Sequence, residues 1–245
     1  MGNAVENFSP EASHAQVELS VVVPSYLEEE NLRLLLPRII KTATELTPEF
    51  EVLIIDTMEP LDNTRAVCEQ FPQVRYIQRK HGNMFGDAVR TGIDQSRGKY
   101  VIFMDADGSH SPSFIKNLYQ HKEEGEVVIA SRYVKGGYTE NNPSLIWMSY
   151  ILNCAYRVVL NLKCNDVSNS FKLYRGDQLR SLKLKCSNFD IVEEILFKLN
   201  RKYSIKIKEL PFTFRKRMFG DTKRNLPLFI LTYVWTLARL RLSID

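Results

Sequence analysis

Five short runs rich in β-branched and apolar residues, LSVVVP (19–24), EVLIID (51–56), VRYIQ (74–78), KYVIFMD (99–105) and EVVIAS (126–131), alternate with stretches of helical periodicity. Most of these runs are apolar at nearly every position and have no polar face to give to water, so their strands must be covered on both sides. A parallel sheet with crossover helices above and below meets that need, which makes the fold class α/β. The intervening segments read as helices. Residues 28–46 open with three glutamates at the positive helix end, 84–97 follow, and 112–124 begin at Pro112, whose fixed φ suits a first turn.

In an open α/β sheet the ligand lies beyond the carboxyl ends of the strands. The residues to read are therefore Pro24-Ser25-Tyr26, Asp56, the stretch Asp105 to His110, and Ser131-Arg132. The fourth run ends as VIFMDADGSHSP (101–112), delivering Asp105 and Asp107 just before a turn that opens at Gly108 and lets both carboxylates approach one ligand. Hard oxygen ligands with room for water and phosphate oxygens describe a Mg²⁺ or Mn²⁺ site that holds a nucleotide diphosphate. The competing role is capping of the helix that starts near Pro112. Asp56, with Asp87 or Arg90 from the helix before the DxD strand, is expected on the same edge, a convergence of charge that favours the ligand site. His110 is either a further metal ligand or a turn residue.

Beyond residue 140 the pattern changes. Residues 143–162 read as a long helix with a broad apolar face, 166–175 as a turn and strand, 189–202 as an amphipathic helix, 204–214 as an alternating strand and 225–240 as a terminal helix. Charge is uneven too: residues 198–245 hold twelve Lys/Arg against three Asp/Glu, a net of +9 in a chain whose total is +4. Apolar and aromatic residues interrupt the basic blocks, which suits a phosphate or a headgroup layer better than nucleic acid. Cys68, Cys154, Cys164 and Cys186 have neither zinc spacing nor a disulfide framework, so a reducing, cytoplasmic setting is expected. Residues 1–17 read as a flexible leader. The longest apolar run, 226–240, is too short to span a bilayer and contains Pro227 and Arg239, so any membrane contact is peripheral. The first strand is followed by no GxGxxG, and the chain has neither a P-loop nor a G-x-S-x-G elbow.

The motifs VVVPSYLEEENL (21–32), IID (54–56), GDAVRTGI (86–93), YVIFMDADGSHSP (100–112), ASRYVKGG (130–137), DVSNSFKLYR (166–175) and ELPFTFRKRMFGDTK (209–223) follow one another as in glycosyltransferase family 2. Within it the chain resembles the dolichyl-phosphate mannose synthase-like branch. The resemblance implies a GT-A, Rossmann-like domain over 18–224, with a donor side (18–135) and an acceptor side (136–224), and a C-terminal helix over 225–245 that meets a membrane surface or packs on the core. It also implies that Pro24, Tyr26 and Glu28 hold the donor nucleotide together with Asp56 and Arg90, and that Asp105 and Asp107 hold Mg²⁺ or Mn²⁺ on the diphosphate. Arg132, Ser149, Arg217 and Lys223 then surround the acceptor phosphate and the reacting diphosphate. The chain departs from the pattern at Leu27 (usually Asn), Thr57 (usually Asp), Ser109 (often Gln) and Leu145 (often Arg).

The implied reaction is inverting transfer of a sugar from GDP-mannose or a UDP-hexose to a polyprenyl phosphate, with Asp107, Arg217 and Glu193 as the catalytic set. The alternatives are transfer to a sugar hydroxyl and a nucleotide-sugar-binding relative without turnover. A hydroxyl acceptor must lose a proton to a positioned carboxylate. Asp190, Glu193 and Glu194 in FDIVEEI are the acids available for that work, or else they form the solvated face of their helix.

Overall fold

The computed structural model describes residues 17–220 and 226–242, the side chains of 226–231 excepted. In chain order the strands are β1 (Leu19–Pro24), β2 (Phe50–Asp56), β3 (Val74–Gln78), β4 (Tyr100–Phe103), β5 (Val127–Ser131), β6 (Tyr138–Thr139), β7 (Lys172–Arg175), β8 (Ile207–Pro211) and β9 (Thr213–Phe214). The helices are α1 (Glu29–Thr44), α2 (Thr64–Cys68), α3 (Phe85–Gln95), α4 (Phe114–Gln120), α5 (Pro143–Val159), α6 (Gly176–Arg180), α7 (Ile191–Tyr203) and α8 (Leu226–Leu242).

Seven strands form one sheet in the order β3-β2-β1-β4-β7-β5-β8. All pairings in it are parallel except those of β7, which runs antiparallel to both β4 and β5. The mostly parallel α/β sheet expected from the apolar runs is thus present, with one reversed strand that periodicity does not reveal. The alternation of side chains along each strand divides the core in two. Val22, Leu53, Ile55, Val101 and Phe103 face one side, against Ala88, Val89 and Ile93 of α3 and against α7 and α8. Val21, Val23, Ile54, Tyr100 and Ile102 face the other, against Leu32, Leu35, Leu36 and Ile39 of α1 and against α4.

Two boundaries differ from the sequence reading for local reasons. β4 stops at Phe103, so Asp105 and Asp107 lie on a loop rather than on the strand. Pro112 sits in the turn before α4, where its carbonyl accepts from the Ile115 amide at 3.1 Å, and not in the first helical turn. β6 and β9 pair in parallel as a small second sheet, which carries the chain from β8 back over the β4 end of the cavity described below. The expected leader over 1–16 and Lys223 lie outside the described residues. Among the described residues, no helix is long and apolar enough to cross a membrane.

Candidate active site at the carboxyl ends of the strands

A cavity of about 730 Å³ opens beyond the ends of β1 and β4, walled by the loop before β7, by α5 and by the segment after β9. Pro24, Tyr26, Glu28, Asp105, Asp107, Arg132, Ser149 and Arg217, all expected at a site, line it. Asp56, Arg90 and Glu193 do not.

The DxD loop is held from within. The Asp105 amide donates to His110 Nδ1 at 2.9 Å, so the imidazole proton resides on Nε2, which donates to Asn169 Oδ1 at 3.1 Å. His110 is fully buried and stacked on Phe171 at 4.6 Å, and burial holds its pKa below the usual value. With both ring nitrogens used inside the fold, His110 shapes the loop and is not a metal ligand. Asp107 Oδ1 accepts from the Ser109 amide at 3.0 Å and the Ser109 hydroxyl at 2.6 Å, which fixes the turn. Gly108 in that turn has φ +82°, a left-handed backbone that favours glycine, and a Cβ there would push aside the flexible Met218 side chain, whose Cγ would lie 2.5 Å away.

Across the loop lies the segment after β9, pinned by the amides of Arg215 to the Ser109 carbonyl at 3.1 Å and of Met218 to the Asp107 carbonyl at 2.9 Å. It brings Arg217 to Glu28, with which it forms an ion pair, and to Asp107 Oδ2 at 3.4 Å. Asp105 Oδ1 accepts from the Ser170 hydroxyl at 2.8 Å. Among the described residues, no group of three or more His, Cys, Asp or Glu gathers to hold a metal alone. Two carboxylates on the wall of an open cavity instead suit a hard cation that takes its remaining ligands from water and phosphate oxygens.

At the β1 end, Glu28 accepts from Asn31 Nδ2 at 2.5 Å, and burial raises its pKa against the opposing pull of Arg217. Leu27 has φ +57°, a left-handed conformation in which Asn is tolerated and a branched apolar side chain costs roughly 1–2 kcal/mol. Leu27 thus stands where the backbone itself explains the Asn of the related motif. Arg79 is a lining residue that the sequence reading missed. It is buried, donates to the carbonyls of Ser25, Asn83 (2.6 Å) and Met84 (3.3 Å), and follows β3 directly. Its signal was its place one residue past the end of an apolar run.

Three expected contributors lie elsewhere. Asp56 is sealed under the sheet edge, accepting from the Tyr76 hydroxyl at 2.9 Å, and burial raises its pKa. Arg90 spends its guanidinium on Asp87 Oδ1 at 2.5 Å and on the Cys186 carbonyl. Glu193 is fully buried in α7, beside the Tyr233 side chain. Burial pushes its pKa up to about 8, only partly offset by Lys172, so near neutral pH it is held largely as the acid. A sealed, protonated carboxyl takes no proton from a ligand. Asp190 accepts from the Thr236 hydroxyl, and Glu194 accepts from the amides of Lys185 (3.0 Å) and Cys186 (2.8 Å) and pairs with Lys198 (2.8 Å). All three acids of FDIVEEI therefore belong to the scaffold.

Glu193 makes stability pH-dependent in a stated direction. Its folded pKa, about 8, lies above the ordinary 4.5, so its contribution is fully present below 4.5 and is lost as pH rises through 8. Between those values Glu193→Gln is expected to gain stability relative to the parent chain, at no more than ~1.4 kcal/mol per pH unit. Urea denaturation at stepped pH measures this, and parallel profiles for the two chains would refute it.

The acceptor-side wall is built around Arg132. Its Nε and Nη2 donate to Asp166 Oδ2 and Oδ1 at 2.8 and 2.7 Å, and Nη2 also reaches the Ser168 hydroxyl at 2.9 Å. Asp166 is fully buried, and Arg132 holds its pKa below the usual carboxylate range despite burial. Glu209 of β8 fixes the loop that carries Asp166, accepting from the Asn165 and Asp166 amides at 2.8 and 3.0 Å. Ser149 and Ser168 are joined through Asn153, whose Nδ2 donates to the Ser149 carbonyl at 2.7 Å and the Ser168 hydroxyl at 3.0 Å.

A family model described as "Glycosyl transferase family 2" matches residues 20–182, which contain β1, the DxD loop and β7. The chain belongs to glycosyl transferase family 2. It is 33% identical over 216 residues to a dolichol-phosphate mannosyltransferase of Pyrococcus furiosus, covering 84% of this chain and 59% of that longer protein. It is 31% identical to an undecaprenyl-phosphate mannosyltransferase of Micrococcus luteus, covering 83% of this chain and 86% of the relative. In fold it matches the glucosyl-3-phosphoglycerate synthase of Mycobacterium tuberculosis, solved with Mn²⁺, UDP and glucosyl-3-phosphoglycerate, at a TM-score of 0.67 and 16% identity, covering 93% of this chain and 80% of that one. The family 2 chain thus has the GT-A-like sheet that the strand order describes.

Proposed function

We propose that the chain transfers a sugar from a nucleotide-diphospho-sugar to a polyprenyl phosphate. The observation that carries this reading is the inventory of acids in the cavity. Among the described residues the lining carboxylates are Glu28, Asp105 and Asp107, all beside Arg217 or the DxD loop, and none of these stands on the α5 side near Arg132 and Ser149. A hydroxyl acceptor needs a base there, whereas a phosphate is already an anionic nucleophile and needs positive charge and hydroxyls. The names of the two mannosyltransferase relatives, each bearing a polyprenol-type phosphate acceptor, support the same choice.

In this reading Pro24, Tyr26, Glu28 and Arg79 receive the nucleotide. Asp105 and Asp107 would hold Mg²⁺ or Mn²⁺, which when bound neutralises the diphosphate as it leaves. Arg217 adds positive charge to the same oxygens, where stabilising developing charge lowers the barrier most. Arg132 and Ser149 position the acceptor, whose phosphate oxygen bonds to the anomeric carbon as the bond to the nucleoside diphosphate breaks. One displacement inverts that carbon.

A peripheral membrane contact goes with a lipid acceptor. α8 buries Tyr233, Thr236 and Leu240 on the core and leaves Trp235 66% exposed, while α5 beside it leaves Trp147 68% exposed. Packing and presentation are thus the work of opposite faces of one helix: Arg239 is held by Cys186 Sγ at 2.9 Å, and the exposed Arg241 in the last turn is suited to anionic headgroups.

The test is nucleoside diphosphate release by the purified protein with Mg²⁺ or Mn²⁺, GDP-mannose or UDP-hexoses in turn, and a detergent-dispersed polyprenyl phosphate present or absent. Release that requires the lipid phosphate is expected. Release that ignores it but responds to a sugar hydroxyl would overturn the reading, and no release with any donor would favour a binding protein.

A further inference from the structure

We propose that Arg215 is the side chain that takes hold of the acceptor's phosphate group. The inference rests on the reading above and adds a residue to it.

Four guanidinium groups line the cavity, those of Arg79, Arg132, Arg215 and Arg217. Three are committed to the protein itself. Arg79 gives both terminal nitrogens to main-chain carbonyls, Arg132 is paired with the fully buried Asp166, and Arg217 is paired with Glu28 and Asp107. Among the described residues the Arg215 guanidinium has no hydrogen bond or ion pair, and its main chain alone is bonded, to the Ser109 carbonyl.

Its backbone is nevertheless well fixed. Just before it, β9 pairs with β6, and just after it the Lys216 amide donates to Glu140 Oε2 at 3.0 Å. In an extended segment residues i and i+2 share a face while i+1 points away. Arg215 and Arg217 accordingly line one cavity, and Lys216 does not. Arg217 reaches toward the β1 end through Glu28. Arg215 is placed on the other flank, next to the strand that leads into Asn141 and Leu145 at the start of α5.

A guanidinium without an ion pair among the described residues, on a pinned backbone, suits an anion that arrives from outside. Arg pairs with phosphate through two parallel N–H donors, so a phosphate monoester at this flank would meet Arg215, the remaining Nη1 of Arg132 and the Ser149 hydroxyl. The monoester is that of a lipid or of a small phosphorylated acid, and the recognising chemistry is the same.

The experiment compares the parent chain with Arg215→Ala, Arg215→Lys and Lys216→Ala, using a short-chain isoprenyl monophosphate, the matching isoprenyl alcohol and 3-phosphoglycerate as acceptors. Arg215→Ala is expected to raise KM for the phosphorylated acceptor about tenfold or more, as removal of one charge-assisted hydrogen-bonding partner should, while KM for the donor stays. Arg215→Lys retains part of the affinity, and Lys216→Ala behaves as the parent. If the parent uses isoprenyl phosphate and Arg215→Ala matches it, or if donor and acceptor KM rise together, the inference is overturned and the proposed function stands. If only 3-phosphoglycerate is used and its KM depends on Arg215, the inference stands and the lipid reading falls. If the parent uses neither phosphate, both fall.

Discussion

Asp107→Asn is expected to lower turnover by about a thousandfold or more, the loss of several kcal/mol of charge stabilisation at a departing diphosphate. The substitution is chosen because asparagine keeps what Asp107 does for the fold. Its side-chain oxygen can still accept from the Ser109 amide and hydroxyl, as Asp107 Oδ1 does at 3.0 and 2.6 Å, so the turn at Gly108 is retained. The substitution removes only the partly exposed pairing of Oδ2 with Arg217 at 3.4 Å, worth no more than ~1 kcal/mol of stability. Activity and stability should therefore separate. Thermal midpoint and nucleoside diphosphate release across a Mn²⁺ titration measure the two, and turnover comparable to the parent would remove Asp107 from the reacting diphosphate.

Arg132→Met should act in the opposite way, on the fold before the chemistry. It leaves Asp166 fully buried without the guanidinium that holds its carboxyl low, and breaking a buried pair from one side costs about 3–5 kcal/mol. Two donors remain to Asp166, the Arg132 amide on Oδ2 at 2.8 Å and the Asn169 amide on Oδ1 at 3.2 Å, and an asparagine there keeps one of the two while removing the buried charge. The double variant Arg132→Met with Asp166→Asn should therefore recover much of the loss, a coupling that urea denaturation of the four chains of the cycle reads directly. Additive losses would show that the pair is not the structural unit described.

The sequence made the sheet legible because continuous apolar runs report burial on both faces, and burial on both faces leaves few architectures. It made the strand ends legible for the same reason, and Pro24, Asp105, Asp107 and Arg132 follow from it. Strand partners are another matter. LYR of β7 has the same apolar character whether it runs with or against its neighbours, and nothing local in 166–175 says that it enters between β4 and β5.

The misplaced residues share one cause. A charge in a sequence does not say where its counter-charge or its burial comes from. Glu193 reads as an acid on an amphipathic helix, and only tertiary packing seals it near Lys172; Arg90 reads as a cationic site residue, and only the chain around Cys186, far along the sequence, supplies the carbonyl that occupies it. His110 reads equally as a ligand or a turn residue, and Asn169 and the Asp105 amide, by taking its two nitrogens, make it the latter. Arg79 follows Gln78, the last residue of its run, and only the fold turns it toward the carbonyls of Ser25, Asn83 and Met84.

The reversed strand also bears on how the molecule is made. β5 has as neighbours only β7 and β8, both synthesised later, and β4 keeps one bare edge until β7 arrives. A chain emerging from the ribosome as far as β5 thus holds three unpaired edges on these two strands of wholly buried residues, the kind of surface that associates with other chains. Closing the sheet then requires threading a late segment between two early ones, a non-local step that folds slowly. The half that carries the DxD loop therefore depends on the other half to become soluble, and newly made chains should need chaperone protection until about the length at which β7 and β8 have emerged.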